Sequence, residues 1–245
     1  MRLKIFCFNI ILLLSISVAA YSETVYLASL EWPPYSGKDL PQQGASVAVA
    51  KAAFKAMGHD LTVDFVPWTR AFKSAEPASS KYLGYFPAYI KNTEKFNFSD
   101  VMDHSPLGIV ENKANPVTWD ITADFSKYKL GVVRNYTNTK ELDSLIADGT
   151  IKPSVASSDL ENMQQVAAGR IDAAVIDVNV FASLLKNSSK LKFAQERIQI
   201  NNKLLINKEL VVGFKVAGDG AKWLEVYNQG LKKIDVDAIM APFFK

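Results

Sequence analysis

Asp177 ends the apolar run Ala173-Ala174-Val175-Ile176, itself preceded by Gly169-Arg170-Ile171-Asp172. That pattern closes a helix at the glycine and opens a short strand, which delivers the carboxylate to the strand's carboxyl end. Small ligands bind at that edge in open α/β sheets. A carboxylate there suits a ligand ammonium, and the same residue can instead cap the helix that follows. Beyond Arg2 the arginines are Arg70, Arg134, Arg170 and Arg197. Arg170 beside Gly169 fits a helix end, and Arg197 lies in a polar stretch. Arg70 and Arg134 follow strands and neighbour aromatic or amide residues. A guanidinium so placed can fork a ligand carboxylate, with a surface ion pair as the alternative for each.

Aromatic residues gather at the same strand ends. Glu31-Trp32-Pro33-Pro34-Tyr35 follows the first apolar strand, and its paired prolines stiffen a turn carrying two rings. Such a turn either walls a cleft or caps the core. Pro67-Trp68-Thr69-Arg70 stands at the next strand-to-helix junction. Tyr85, Phe86 and Tyr89 are as compatible with core as with site. Arg134-Asn135-Tyr136-Thr137-Asn138 precedes a capped helix, whose free backbone N–H groups favour an anion; Thr137 can equally be a local turn residue.

Other chemistries are excluded. His59 and His104 are isolated from any partner at metal-ligand or triad spacing, and Cys7 is the only cysteine. No metal or other cofactor is expected. The net charge is +3 and falls to +1 once Arg2 and Lys4 are set aside, so no basic field attracts nucleic acid.

Met1-Arg2-Leu3-Lys4, the apolar run Ile5–Val18 and the small residues Ala19 and Ala20 describe a cleavable export signal over residues 1–22. The run is shorter than the roughly 18 residues that span a bilayer. Cleavage takes Cys7 with it, so the exported chain must hold together through its core alone. Strands are predicted at 25–29, 61–66 and 82–86, with helices at 44–57 and 68–75 between them, which is the alternation of a parallel sheet. A second α/β unit follows: a strand at 129–133, a helix opened by Asn138 and Glu141, another opened by Ser158 and Glu161, a strand at 171–176 and a helix at 179–186. A strand at 210–214 and an amphipathic helix after Asp219 complete the chain. The extended stretches 107–111 and 210–214 bracket the middle unit as an outgoing and a returning crossover.

In these residues the chain resembles the family 3 extracellular solute-binding proteins of ABC importers. The resemblance rests, in order, on the Trp32-Pro33-Pro34-Tyr35 turn, Trp68-x-Arg70-Ala71, Thr93-Glu94-Lys95…Phe98-Ser99, Leu130-Gly131-Val132-Val133 and Gly169-Arg170-Ile171-Asp172. It implies the α/β, two-lobed type II periplasmic-binding-protein fold, its lobes joined by two hinge strands and closing on a ligand. Residues 23–110 would form the first part of lobe 1, 111–209 lobe 2 and 210–245 the return to lobe 1. It also implies a monomer in the periplasm, a small polar ligand and an inner-membrane permease as partner. Asp177 matches the position that holds an amino acid's ammonium, and Thr137 falls near the loop that holds its carboxylate. Trp32, Tyr35, Trp68 and Tyr89 would line the cleft, with Arg70, Tyr136, Thr137 and Asp177 orienting the ligand. Two departures bear on specificity. Leu83 stands where the family carries Asp, and the segment Ile90–Phe96 lacks the Arg that clamps the α-carboxylate, leaving Lys91 or Lys95 as point charges. Proteins of this fold also include dehydratases, for which Glu31, Asp177 and Lys95 would be the acid–base candidates, and ligand-presenting sensors.

Overall fold

Two α/β layers are joined through a pair of long strands in the computed structural model, which describes residues 22–244. The first half runs β1 (Thr24–Ser29), α1 (Ala45–Ala56), β2 (Asp60–Phe65), α2 (Trp68–Ala75), β3 (Gly84–Ala88) and β4 (Phe96–Phe98). β5 (Asp103–Asn112) then leads into β6 (Leu130–Val133), α3 (Lys140–Ala147), β7 (Ser154–Ala156), α4 (Asp159–Ala167), β8 (Ala173–Asp177), α5 (Val178–Asn187) and β9 (Ile198–Ile200). β10 (Ile206–Lys215) returns, followed by α6 (Gly220–Leu231) and α7 (Val236–Met240).

The strand order is β2-β1-β3-β10-β5-β8-β6-β7, with β4 also on β10 and β9 also on β5. β1 is parallel to β2 and β3, and β6 is parallel to β7 and β8. β10 serves both halves: Ile206–Leu210 pair antiparallel with Leu107–Asp103 of β5, whereas Val211–Lys215 pair with β3 and β4. The two crossing strands therefore meet each other at Asp103–Leu107, just before the expected outgoing stretch. Residues 107–111 already pair with β8 inside the second lobe.

Apolar periodicity explains the layers. Val47, Ala50, Ala53 and Phe54 of α1 are buried against Val25, Leu27, Trp223 and Tyr227, and each large side chain so buried contributes about 1.5–3 kcal/mol. Ala71 and Ala75 of α2 pack with Tyr85, Phe96 and Val211 on the opposite face. Leu130, Leu142, Ala173 and Val175 form a separate cluster in the second lobe.

Two local expectations shift. The strand predicted from Tyr82 begins at Gly84, where β10 passes so close that a Cβ would lie 2.2 Å from the Gly213 carbonyl oxygen. The cap of α3 is Thr139, whose side chain accepts from the Leu142 N–H at 3.0 Å. Asn138 instead donates to Asp143, 2.8 Å away. Ser158 caps α4 as expected. The expected export signal falls almost wholly on residues 1–21, outside the described residues. Among the described residues no helix is long and apolar enough to cross a membrane.

Candidate functional site

The turn after β1 is closed by the Trp32 N–H donating to the Ser36 carbonyl (2.8 Å) and by Ser36 Oγ donating to the Leu30 carbonyl (2.8 Å). It sets the Trp32 indole between two rings. Tyr35 stacks behind it at 4.6 Å, and Tyr89 meets it edge-on at 6.2 Å. Trp68, the first residue of α2, packs edge-on against Tyr85 (5.4 Å) and against Tyr136 of the second lobe (6.1 Å). These rings border a cleft between the lobes, lined by Trp32, Trp68, Tyr85, Tyr89, Lys91 and the Asn135–Thr137 loop. A narrow adjoining chamber shares Trp32, Tyr89, Tyr136 and Thr137 and reaches Asn138, Asp159 and Asp177.

The lobes touch across the mouth. Trp68 Nε1 donates to the Asn135 carbonyl (3.1 Å), and Asn135 Nδ2 donates to Thr69 Oγ1 (2.7 Å). Asn135 holds a positive φ of 62°, a conformation that asparagine tolerates better than most residues. That turn directs both its carbonyl and its amide at α2.

Asp177 is buried and well supplied with donors. Ser105 Oγ and Tyr35 Oη (3.1 Å) donate to one carboxylate oxygen, and the Val180 N–H (2.8 Å) donates to the other, capping α5. The Tyr89 hydroxyl lies 2.7 Å from Ser105 Oγ, extending the chain to the cavity wall. Burial pushes the Asp177 carboxyl up to about 6 against the opposing pull of those donors.

Asp159 opens α4 and is equally buried, at 5% exposure. Among the described residues its one side-chain hydrogen bond is a long one, from Tyr136 Oη at 3.4 Å. The Trp32 indole N–H helps to hold the carboxylate ionised but stays short of a hydrogen bond, so this buried Nε1 has no partner. Desolvation and the Asp177 charge raise Asp159 to about 7. Sequence reasoning passed over this residue, because an acid in the first turn of a helix is ordinary.

Of the expected ligand residues, Trp32, Trp68, Tyr89, Tyr136, Thr137 and Asp177 stand on this cavity. Tyr35 does not line it: it is fully buried behind Trp32, its hydroxyl engaged by Asp177 and by Asn179 Nδ2 (2.8 Å). Arg70 is exposed on α2 and lies outside the lining, and Arg134 is exposed as well. The cation on the wall is Lys91, half-buried, its ammonium 4.6 Å over the Phe72 ring and 5.7 Å over Tyr85. Lys95 pairs with Glu76 on the surface, and Glu31 is exposed and accepts from the Lys38 N–H at 3.1 Å. A second lysine missed in the sequence is Lys208 on β10. It donates to the Thr137 (3.1 Å) and Asn138 carbonyls and lies 4.1 Å over Tyr89, and desolvation lowers it to about 8. Among the described residues no three His, Cys, Asp or Glu side chains assemble into a metal-holding group.

No protein-family profile matches the sequence, and no curated protein matches it. Solved structures do. A histidine kinase sensor domain with similarity to periplasmic binding proteins superposes with a TM-score of 0.77 at 17% identity, over 90% of this chain and 95% of that one. An ancestral arginine-binding protein bound to arginine gives 0.74 at 20% identity, covering 91% and 98%. The fold is that of a type II periplasmic binding protein. An ancestral amino-acid-binding protein that is a precursor of cyclohexadienyl dehydratase shares it at a TM-score of 0.70 and 20% identity, over 91% and 95%. In a type II binding protein the ligand lies between lobes that close about the hinge, the place where this chain keeps its aromatic cavity.

Proposed function

We propose that this protein is a periplasmic, monomeric solute-binding protein. It traps a small polar solute, an amino acid or a related amine, between its lobes and presents the closed form to the permease of an ABC importer. The observation that carries the reading is an aromatic cavity between the lobes with two buried carboxylates in its inner chamber and one lysine on its outer wall. The rings supply apolar contact area and faces attractive to cations. Asp159 and Asp177 set a negative inner end, and Lys91 gives a point charge to a carboxylate at the outer end. Trp32, Trp68, Tyr89, Tyr136 and Thr137 would touch the solute. The basic head, apolar run and small residues of positions 1–22 support export.

The same trap serves a receptor as readily as a permease, and the likeness to a kinase sensor domain favours keeping that partner in view. A dehydratase finds less support, since two of its acid–base candidates, Glu31 and Lys95, face solvent away from the cavity.

The test is a thermal-shift screen of the exported chain against amino acids, amines, small acids and short peptides. A ligand at a hundred times its Kd adds about 2.7 kcal/mol, a clear rise in Tm. A hit among amine-bearing solutes supports the reading, and silence across the panel contradicts it.

A further inference from the structure

Two carboxylates face the inner chamber, and their surroundings differ in what they lack. Asp177 has donors on both oxygens, from Ser105, Tyr35 and the Val180 N–H. It also stops a helix, so its geometry is fixed by the protein's own needs. Asp159 has the burial with weaker donors: a 3.4 Å contact from Tyr136, the nearby Trp32 indole N–H and its own backbone N–H, and no lysine, arginine or histidine paired with it among the described residues. Lys208 directs its ammonium to the Thr137 and Asn138 carbonyls. A buried carboxylate in that condition holds a proton or awaits a cation. A second observation points the same way. Trp32, a residue 6% exposed, lines the same chamber, and its indole N–H acts on Asp159 without closing a full hydrogen bond to it or to any other group among the described residues.

A ligand ammonium answers the carboxylate. It offers up to three donors and a full charge to Asp159, and the faces of Trp32, Tyr89 and Tyr136 around the chamber attract a cation. An acceptor on the same solute would satisfy Trp32 Nε1. A plain carboxylate would meet at best a neutral carboxyl O–H there and would forfeit the charge pairing that an ammonium gains.

Resting on the binding-protein reading above, we propose that Asp159, rather than Asp177, receives the ligand's ammonium, and that the solute is therefore an amine. Asp177 acts beside it as the negative neighbour that makes the chamber selective for cations. The groups facing Asp159 are Asp177, Tyr136, Tyr89 and Trp32. At pH 6 the Asp159 carboxyl, raised to about 7, carries a proton that an arriving ammonium must displace.

The test is isothermal titration of the exported chain with L-lysine, 1,4-diaminobutane and 2-phenylethylamine, and with succinate and benzoate as acids lacking an amine. At least one amine is expected to bind, and Asp159→Asn to weaken it by about 30-fold or more. Asp177→Asn should cost less. Repeating the wild-type titration at pH 6 in two buffers of different ionisation enthalpy should show release of about one proton per amine bound, a readout that needs no variant to fold. Undiminished binding by Asp159→Asn, or binding with no proton released, overturns the assignment and leaves the trap standing. Binding of the acids alone does the same. If no probe binds, the trap and the assignment fall together.

Discussion

The indole N–H of Trp68, at the start of α2 in the first lobe, donates to the Asn135 carbonyl of the second lobe over 3.1 Å. This bond and its neighbour from Asn135 Nδ2 to Thr69 tie the lobes at the cavity mouth, in addition to the β5–β10 pairing that joins them. The ring that lines the cavity thus also fastens the mouth.

Replacing Trp68 by Phe keeps an aromatic wall and removes the donor. A single such hydrogen bond contributes about 1 kcal/mol, so ligand affinity should fall by roughly fivefold. Small-angle scattering of the unliganded variant should show a larger radius of gyration. Unchanged affinity and dimensions would mean that the contact contributes nothing to closure.

Asp159 makes the unliganded protein sensitive to pH in a definite sense. Its folded pKa of about 7 lies above that of an unfolded aspartate, so the unfolded chain loses its proton first as pH rises. The stability contributed by the protonated carboxyl is complete near pH 4 and is lost between about pH 4 and 7. Asp177, at about 6, adds to the trend over a narrower window. Asp159→Asn stays neutral, so its Tm relative to wild type should climb between pH 4.5 and 7.5, by the equivalent of a few kcal/mol at most. Amine affinity of the wild type should rise over the same interval and level off above it. A constant difference in Tm would place Asp159 in a solvated setting.

Of the cations that the sequence offers for a ligand carboxylate, Lys91 stands on the cavity wall and Arg70 does not. Trp68 and Arg70 sit about 200° apart around α2, so a helix that turns Trp68 and Ala71 inward turns Arg70 to solvent. Arg70→Ala should leave affinity within twofold of wild type. Lys91→Gln should weaken a ligand that carries a carboxylate as well as an amine and spare an amine without one. Titrating the three proteins with L-lysine and 1,4-diaminobutane separates these outcomes, and a large loss in Arg70→Ala would return the anion to that residue.

Much of the architecture was legible from local pattern. The helical spacing in α1, the Trp68–Ala75 helix and the apolar run ending at Asp177 all appear where periodicity places them, because each buries one face on its nearest neighbour. What escaped was set at a distance. Residue 84 must be glycine because β10, over a hundred residues later, passes against it. Asp159 reads as a helix-opening acid, and its burial depends on Trp32 and Tyr89 of the other lobe together with Tyr136 and Asp177 of its own. Asn138 and Thr139 both suit a cap, and adjacent residues with the same chemistry leave no local means of choosing.

Asp177 has a structural duty that can be measured without any ligand. Asp177→Ala removes the cap of α5 and leaves the buried Tyr35 and Ser105 hydroxyls without their acceptor. Lost caps and unsatisfied buried donors each cost about 1–2 kcal/mol, so Tm should drop by several degrees. A melting curve unchanged from wild type would show that Asn179 and water replace the carboxylate.

The most direct measurement is a crystal structure with the tightest-binding amine from the thermal-shift panel. The account predicts that the solute lies between the lobes, walled by Trp32, Tyr89 and Tyr136, with its nitrogen within hydrogen-bonding distance of the Asp159 carboxylate. A ligand outside the interlobe cavity, or one that turns its carboxylate toward Asp159 and Asp177, would contradict it.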